Sequence, residues 1–268
     1  MDFLLECIGF PPGQDEDELM ELVRSQGEAA AWRGDPENHK RLALGGGLEL
    51  RLDREPGQDF WTMLPHYQVS QRLRVAVESV ESVPDSPFDA LLTGWAGPPR
   101  PGEDAGHLSH PDQPGAFRMT AWLNDARRLP RTVHAGHVLA VSIAGFALEV
   151  SYVGPNLGAR DPAILERPSE SWIAPLGSQD SPGGCCDVSL KVRSIRHLRN
   201  PITGRTIDMV VTDSPERPLE LFLSPWQLES YGLPMPRPGW RIEGTFLFSG
   251  RVAGGLPPPP KRVQRVFG

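Results

Sequence analysis

Cysteine is scarce in this chain of 268 residues: Cys7, Cys185 and Cys186 are the whole supply. An odd, small count is no disulfide framework. The tether between the neighbours Cys185 and Cys186 is also too short for relaxed disulfide geometry. Reduced thiols in a reducing compartment are expected. No apolar run approaches the roughly 20 residues that a membrane-spanning helix needs. The opening residues, Met1 to Cys7, place acid where a secretory signal carries base, and their apolar stretch is short. The expected location is therefore cytoplasmic, with no membrane among the partners.

Catalytic motifs are missing as well. No Ser-His-Asp ordering, paired-carboxylate motif or nucleotide fingerprint can be pointed to. Gly45-Gly46-Gly47 is not a phosphate loop, because no Lys-Ser/Thr follows and alternating leucines come next. No stretch asks for a cofactor, and nothing matches a zinc signature.

Proline and glycine are abundant, with 29 and 28 residues, which implies many turns and few long helices. With 39% hydrophobic and 23% charged residues, the chain is too apolar for disorder and too polar for a membrane protein. The net charge of −7 is uneven: from Val188 onward twelve basic residues face six acidic ones, so this last third is +6 and the rest −13. Such asymmetry points to contact with a polyanion, or to docking between the two parts.

Residues 2–9 read as a short strand. Asp15-Glu16-Asp17-Glu18 opens a helix, with acids at the positive end of the dipole and Leu19, Leu22 and Val23 on one face, running to about Trp32. Leu42 and Leu44, then Leu48, Leu50 and Leu52, alternate around three glycines and predict a hairpin. Further strands are expected over Arg72–Val83, Phe88–Trp95, Arg118–Trp122 and Val138–Tyr152, where Gly145 marks a turn or bend. Residues 97–115 form a Pro/Gly-rich loop. Residues 178–184 read as a linker, placing a boundary between an N-terminal region (1–177) and a C-terminal one (185–268).

The C-terminal region has the clearest pattern. Val188, Leu190 and Val192 alternate with Ser189, Lys191 and Arg193, and the phase shifts to Ile195, so a bulge near Ser194 is expected. Ile207–Val211 and Leu219–Leu223 are the next strands. Ser224-Pro225-Trp226-Gln227 has the spacing of a capped helix start, and Gly232 is placed to close that helix. Trp240–Val252 is a long strand. A long bent strand, two more strands, a short helix and another strand is the order of an OB-fold, which residues 187–253 resemble in topology. The resemblance implies a five-stranded barrel with a ligand face on its second and third strands, often for oligonucleotides. Only four strands are evident. The fifth falls to half of Trp240–Val252, bent at Gly250, or to the tail Lys261–Phe267. An SH3-like barrel is the competing reading.

On that face Lys191 and Arg193 suit phosphate contact and Phe222 suits base stacking, with Asp208, Val210 and Glu220 also outward. Asp208 and Glu220 oppose a phosphate backbone. His107 and His110, with Asp112, and His134 with His137 have residue types that bind metal, but both pairs sit among glycines and prolines where spacing says little. The pair Cys185-Cys186 follows two glycines and is expected to be accessible, with Arg196 and His197 further along the chain. Trp61 and Trp172 fall in loop-like contexts suited to a ligand cleft or a partner surface.

The resulting expectation is a mainly β (α+β) protein: a β-rich N-terminal region with one or two helices, then a small OB-like β-barrel. Its expected function is binding without catalysis, of a protein partner or small ligand, using no cofactor and no metal. One alternative is a single-stranded nucleic-acid binder acting through Lys191, Arg193 and Phe222. Another is an enzyme with a site between the two parts, using His107/His110 or Cys186.

Overall fold

A computed structural model describes residues 2–29, 37–54, 57, 59–69, 71–83, 86–99, 114–124, 126, 129, 133–154, 171–176 and 183–256. The protein is mainly β, with 56% of the described residues in strands against 11% in helices.

The start of the chain is helical, not extended. Asp2–Glu6 form α1, in keeping with the helical spacing of Leu4, Leu5 and Ile8, all of them buried. Five residues cannot sustain a helix alone, so tertiary bonds hold this segment. Asn200 Nδ2 donates to the Ile8 carbonyl (2.9 Å), Thr203 Oγ1 to the Gly9 carbonyl (2.8 Å), and Ser224 Oγ to Glu6 Oε2 (2.6 Å). Helix α2 (Glu16–Gln26) starts as its acids predict, with Asp15 accepting from the backbone N–H of Asp17 and Glu18. It stops well short of Trp32. The Gly27 N–H bonds the Val23 carbonyl (2.8 Å), and Glu28–Ala29 (β1) already pair with β2 (His39–Gly45).

β2, β3 (Leu48–Asp53) and β4 (Thr62–Tyr67) complete a four-stranded antiparallel sheet in chain order. The expected hairpin is there: Gly45, Gly46 and Gly47 all have positive φ, a run that residues with a Cβ do not adopt cheaply. The register sets Leu50 opposite Leu42 and Pro65, and Glu49 opposite Ala43 and His66. One face thus carries the leucines of β3, and the other Glu49, Arg51 and Asp53. Pro65 lies on the edge strand, where its missing N–H breaks no ladder.

The second sheet contains β5 (Leu73–Val83), β6 (Ser86–Ala96), β7 (Phe117–Leu123), β8 (Val138–Val153), β9 (Trp172–Pro175), β10 (Cys185–Arg199), β11 (Thr206–Asp213), β12 (Leu219–Phe222) and β13 (Arg241–Gly254). Helix α3 (Pro225–Ser230) joins the last two. β8 and β13 pair antiparallel almost end to end. By one route β13 leads to β10, β11 and β12, and β12 returns to β8 in parallel. By the other, β8 leads to β5, β6 and β7, and β7 returns to β13 in parallel. The pairings close two circuits of five strands that share the β8–β13 seam.

Three local expectations in the last third are met: the register shift between Val192 and Ser194, the Ser224 cap accepting from the Gln227 N–H (3.0 Å), and the left-handed Gly232 (φ 64°). Two others are corrected. β8 runs unbroken through Gly145, whose missing Cβ lets Leu221 and Phe248 close in from the flanking strands. β13 likewise runs unbroken through Gly250, so no half of it serves as a separate strand. The place between β12 and β13 belongs to β8. These pairings cross the linker, of which Gly183 and Gly184 are described. The tail Lys261–Phe267 and residues 100–113 of the long loop lie outside the described residues.

Candidate ligand pocket

A cavity of about 240 Å³ opens between the free edge of β4, helix α1 and the β8–β13 seam. Strand periodicity supplies most of its wall, since alternate residues share a face. Phe146 and Leu148 come from β8, Leu247 and Ser249 from β13, and Trp122 and Asn124 from the end of β7. Leu64 and Pro65 add the edge of β4, and Phe3 and Leu4 add α1. Phe3 is 54% exposed, an apolar ring beside an apolar cavity. Asn124 and Ser249 are the polar side chains of the wall, and Asn124 Nδ2 donates to Ser249 Oγ at 2.9 Å. The Asn124 N–H bonds the Gly250 carbonyl (2.9 Å), which ties the end of β7 to β13.

One pleat beyond the wall, the charged face of the small sheet is buried. His66 Nδ1 meets Glu49 Oε1 at 2.9 Å. Burial pushes the His66 imidazole pKa down, and the Arg51 and Arg251 charges add to this; the Glu49 carboxylate only partly offsets it. Burial works against the Glu49 charge, but the His66 bond and the neighbouring arginines outweigh it and hold that carboxyl below its usual range. The buried Arg51 guanidinium lies 2.5 Å from Asp53 Oδ2 and 3.6 Å from Asp89 Oδ1. Desolvation opposes its charge, and Asp53 and Asp89 more than restore it. His39 Nδ1 meets Asp53 Oδ1 at 2.9 Å, and Ser86 donates to Asp89 at 2.9 Å. Arginines and carboxylates alternate here, so the cluster is internally compensated.

The residues singled out from sequence fall elsewhere. Lys191 and Arg193 are exposed on β10, as expected. Phe222 is fully buried, stacked on Phe146 (5.2 Å between centroids) and edge-on to Tyr67 (4.9 Å). This corrects its placement on an outward face: all four residues of β12 are buried, because both sides of that strand are covered. Val210 and Glu220 are buried too. Cys186 is buried rather than accessible. Burial pushes its thiol up to about 12, and its Sγ donates to the Thr120 carbonyl (3.4 Å). His197 is taken up by Asp208 (2.6 Å) on β11. His134 and His137 lie with ring centroids 5.9 Å apart, but His137 Nε2 meets the Gly255 carbonyl at 2.9 Å. Among the described residues no group of three or more His, Cys, Asp or Glu is placed to hold a metal ion. His107, His110 and Asp112 lie outside the described residues. Trp61 is faced by the guanidinium groups of Arg54 (4.7 Å) and Arg24 (5.6 Å), and Trp172 is exposed on β9.

Sequence reasoning missed the pocket entirely. Its wall comes from five elements, and no short window holds more than two of its residues. Compared with known proteins, the chain matches no family model, no curated protein and no solved structure.

Proposed function

We propose that the protein binds a small, largely apolar molecule in the cavity between α1, β4 and the β8–β13 seam, without catalysis of its own. The observation that carries this is the wall of the cavity, which among the described residues has eight apolar side chains and one hydrogen-bonded polar pair. Small-molecule sites are concave and mostly apolar, with a few polar groups that set orientation. An apolar cavity of only about 150 Å³ already takes up benzene. Against catalysis stand the sealed Cys186 thiol and an ionic cluster whose charges are spent on one another. The test is thermal unfolding of the full chain with rising concentrations of toluene, indole and 1-hexanol. A midpoint that climbs with concentration is expected, because a ligand that binds only the folded state stabilises it. No shift with any of the three sinks the reading.

A second reading rests on β10, where Lys191 and Arg193 are exposed together with Arg196 and Arg199. The circuit β10–β11–β12–β8–β13, with α3 between β12 and β13, supports an OB-like barrel for the last third. In this arrangement the fifth strand precedes the others in the chain. Phe222 is unavailable for stacking, so a single-stranded oligonucleotide would be held by its phosphates, with strongly salt-dependent affinity. Fluorescence anisotropy of a labelled oligonucleotide at low and moderate salt decides this; no binding at low salt removes the reading.

A further inference from the structure

We infer that the molecule taken by this pocket is an uncharged carbonyl compound, a ketone or ester on a compact apolar body; the inference rests on the pocket reading above. The ligand's polarity follows from what the wall offers. Ser249 is 6% exposed, and its hydroxyl accepts from Asn124 Nδ2. A hydroxyl that accepts one bond keeps a proton to give. Among the described residues no acceptor takes that proton, so Ser249 is left as a donor, and the buried Nε1–H of Trp122, also a wall residue, is a second donor with no partner among the described residues. Donors without acceptors call for an acceptor oxygen on the ligand.

Charge is excluded by the same wall. Among the described residues no ionisable side chain lines the cavity. The nearest along the strands are His66, two residues beyond Leu64, and Arg251, two residues beyond Ser249, on the same faces by strand alternation. His66 is bonded to Glu49, and the Arg251 charge helps to hold the Glu49 carboxyl low. A ligand carboxylate or ammonium would find no ionisable group on the described wall to pair with. Either would be a buried charge without a partner, which is costly. The volume of about 240 Å³ suits one ring with a short substituent.

The experiment compares three one-ring probes on the full chain by isothermal titration at pH 8: acetophenone, ethylbenzene and benzoate. Acetophenone and ethylbenzene have similar shape and differ at the oxygen. Acetophenone is expected to bind about tenfold tighter than ethylbenzene, the size of one net hydrogen bond, and benzoate not measurably. Ser249→Ala is expected to remove the difference between the first two. Equal affinities for acetophenone and ethylbenzene in the natural protein overturn the inference while leaving the pocket reading standing. Benzoate binding tightest overturns the exclusion of charge. Failure of all three to bind overturns the pocket reading with it. The comparison within the natural protein decides the matter even if Ser249→Ala does not fold.

Discussion

Gly145 of β8 stands so close to Leu221 of β12 that a Cβ on the glycine would lie 2.6 Å from Leu221 Cδ2. The parallel pairing of β12 with β8 closes one of the two circuits, and it depends on this approach. Gly145→Ala must push Leu221 or Phe248 aside, and overpacking of this kind costs about 1–3 kcal/mol. Gly244 is more demanding: its φ is 145°, and a Cβ there would lie 2.0 Å from the Glu149 carbonyl oxygen. Gly244→Ala should therefore destabilise more than Gly145→Ala in urea unfolding. Equal, small effects would mean that the seam tolerates a wider spacing.

The shared seam also bears on the isolated last third. A chain of residues 185–268 lacks β8, which pairs with both β12 and β13. It also lacks residues 2–9, α1 and the turn after it, which Asn200, Thr203 and Ser224 hold. Such a chain is expected to show no cooperative unfolding transition by circular dichroism. A sharp transition in it would show that the last third closes without β8.

All three thiols are buried, and burial pushes those of Cys7 and Cys186 up to about 12. The thiolate is the reactive form. Native protein at pH 8 should therefore resist iodoacetamide, whereas protein in urea should take up three equivalents by mass spectrometry. Rapid labelling of Cys186 in the native state would reopen the enzyme reading.

Glu220 is 4% exposed. Burial raises its pKa, and Arg196, 3.6 Å away and largely exposed, only partly offsets this. With the folded pKa above the unfolded value, the carboxyl favours folding below its ordinary range near 4.5, and that contribution is lost as pH rises through the folded pKa. Glu220→Gln should raise the unfolding midpoint at pH 7–8, with the gain shrinking below about pH 4.5. A lower midpoint at pH 8 would show that the Arg196 pair outweighs the desolvation.

His66 has the opposite sign. Its folded pKa lies below 6.5, so the unfolded chain binds more protons at mildly acidic pH. Stability is full above about pH 6.5 and is lost as pH falls toward the folded value. The urea midpoint should drop between pH 7 and 5, and His66→Gln should flatten that drop. An unchanged slope would assign the acid sensitivity to other groups.

The features legible in the sequence are those whose causes are local. Three consecutive glycines turn β2 into β3, Ser224 caps α3 three residues ahead of the N–H it accepts from, and the phase slip at Ser194 is visible within one strand. The start of the chain was not legible in this way: a short apolar run suits a strand or a helix equally, and the bonds that decide come from residues near 200 and 224. Phe222 shows the limit of alternation. Period two assigns neighbours to opposite faces, but it does not say that Phe146 and Tyr67 cover the face that Phe222 takes. Nor could Leu64, Trp122 and Ser249 be grouped, because nothing in any of their neighbourhoods refers to the others.

By itself the sequence determined a mainly β chain, most of its long strands, its glycine turns and its two capped helices. Each of these depends on backbone preference and side-chain period over a few residues. Only the tertiary structure decided that β8 joins β12 to β13, that Glu49, Arg51 and Asp53 are buried, and that a cavity remains beside the open edge of β4. Those outcomes come from packing between segments that lie far apart in the chain, where area and volume are matched by the whole molecule rather than by any local pattern.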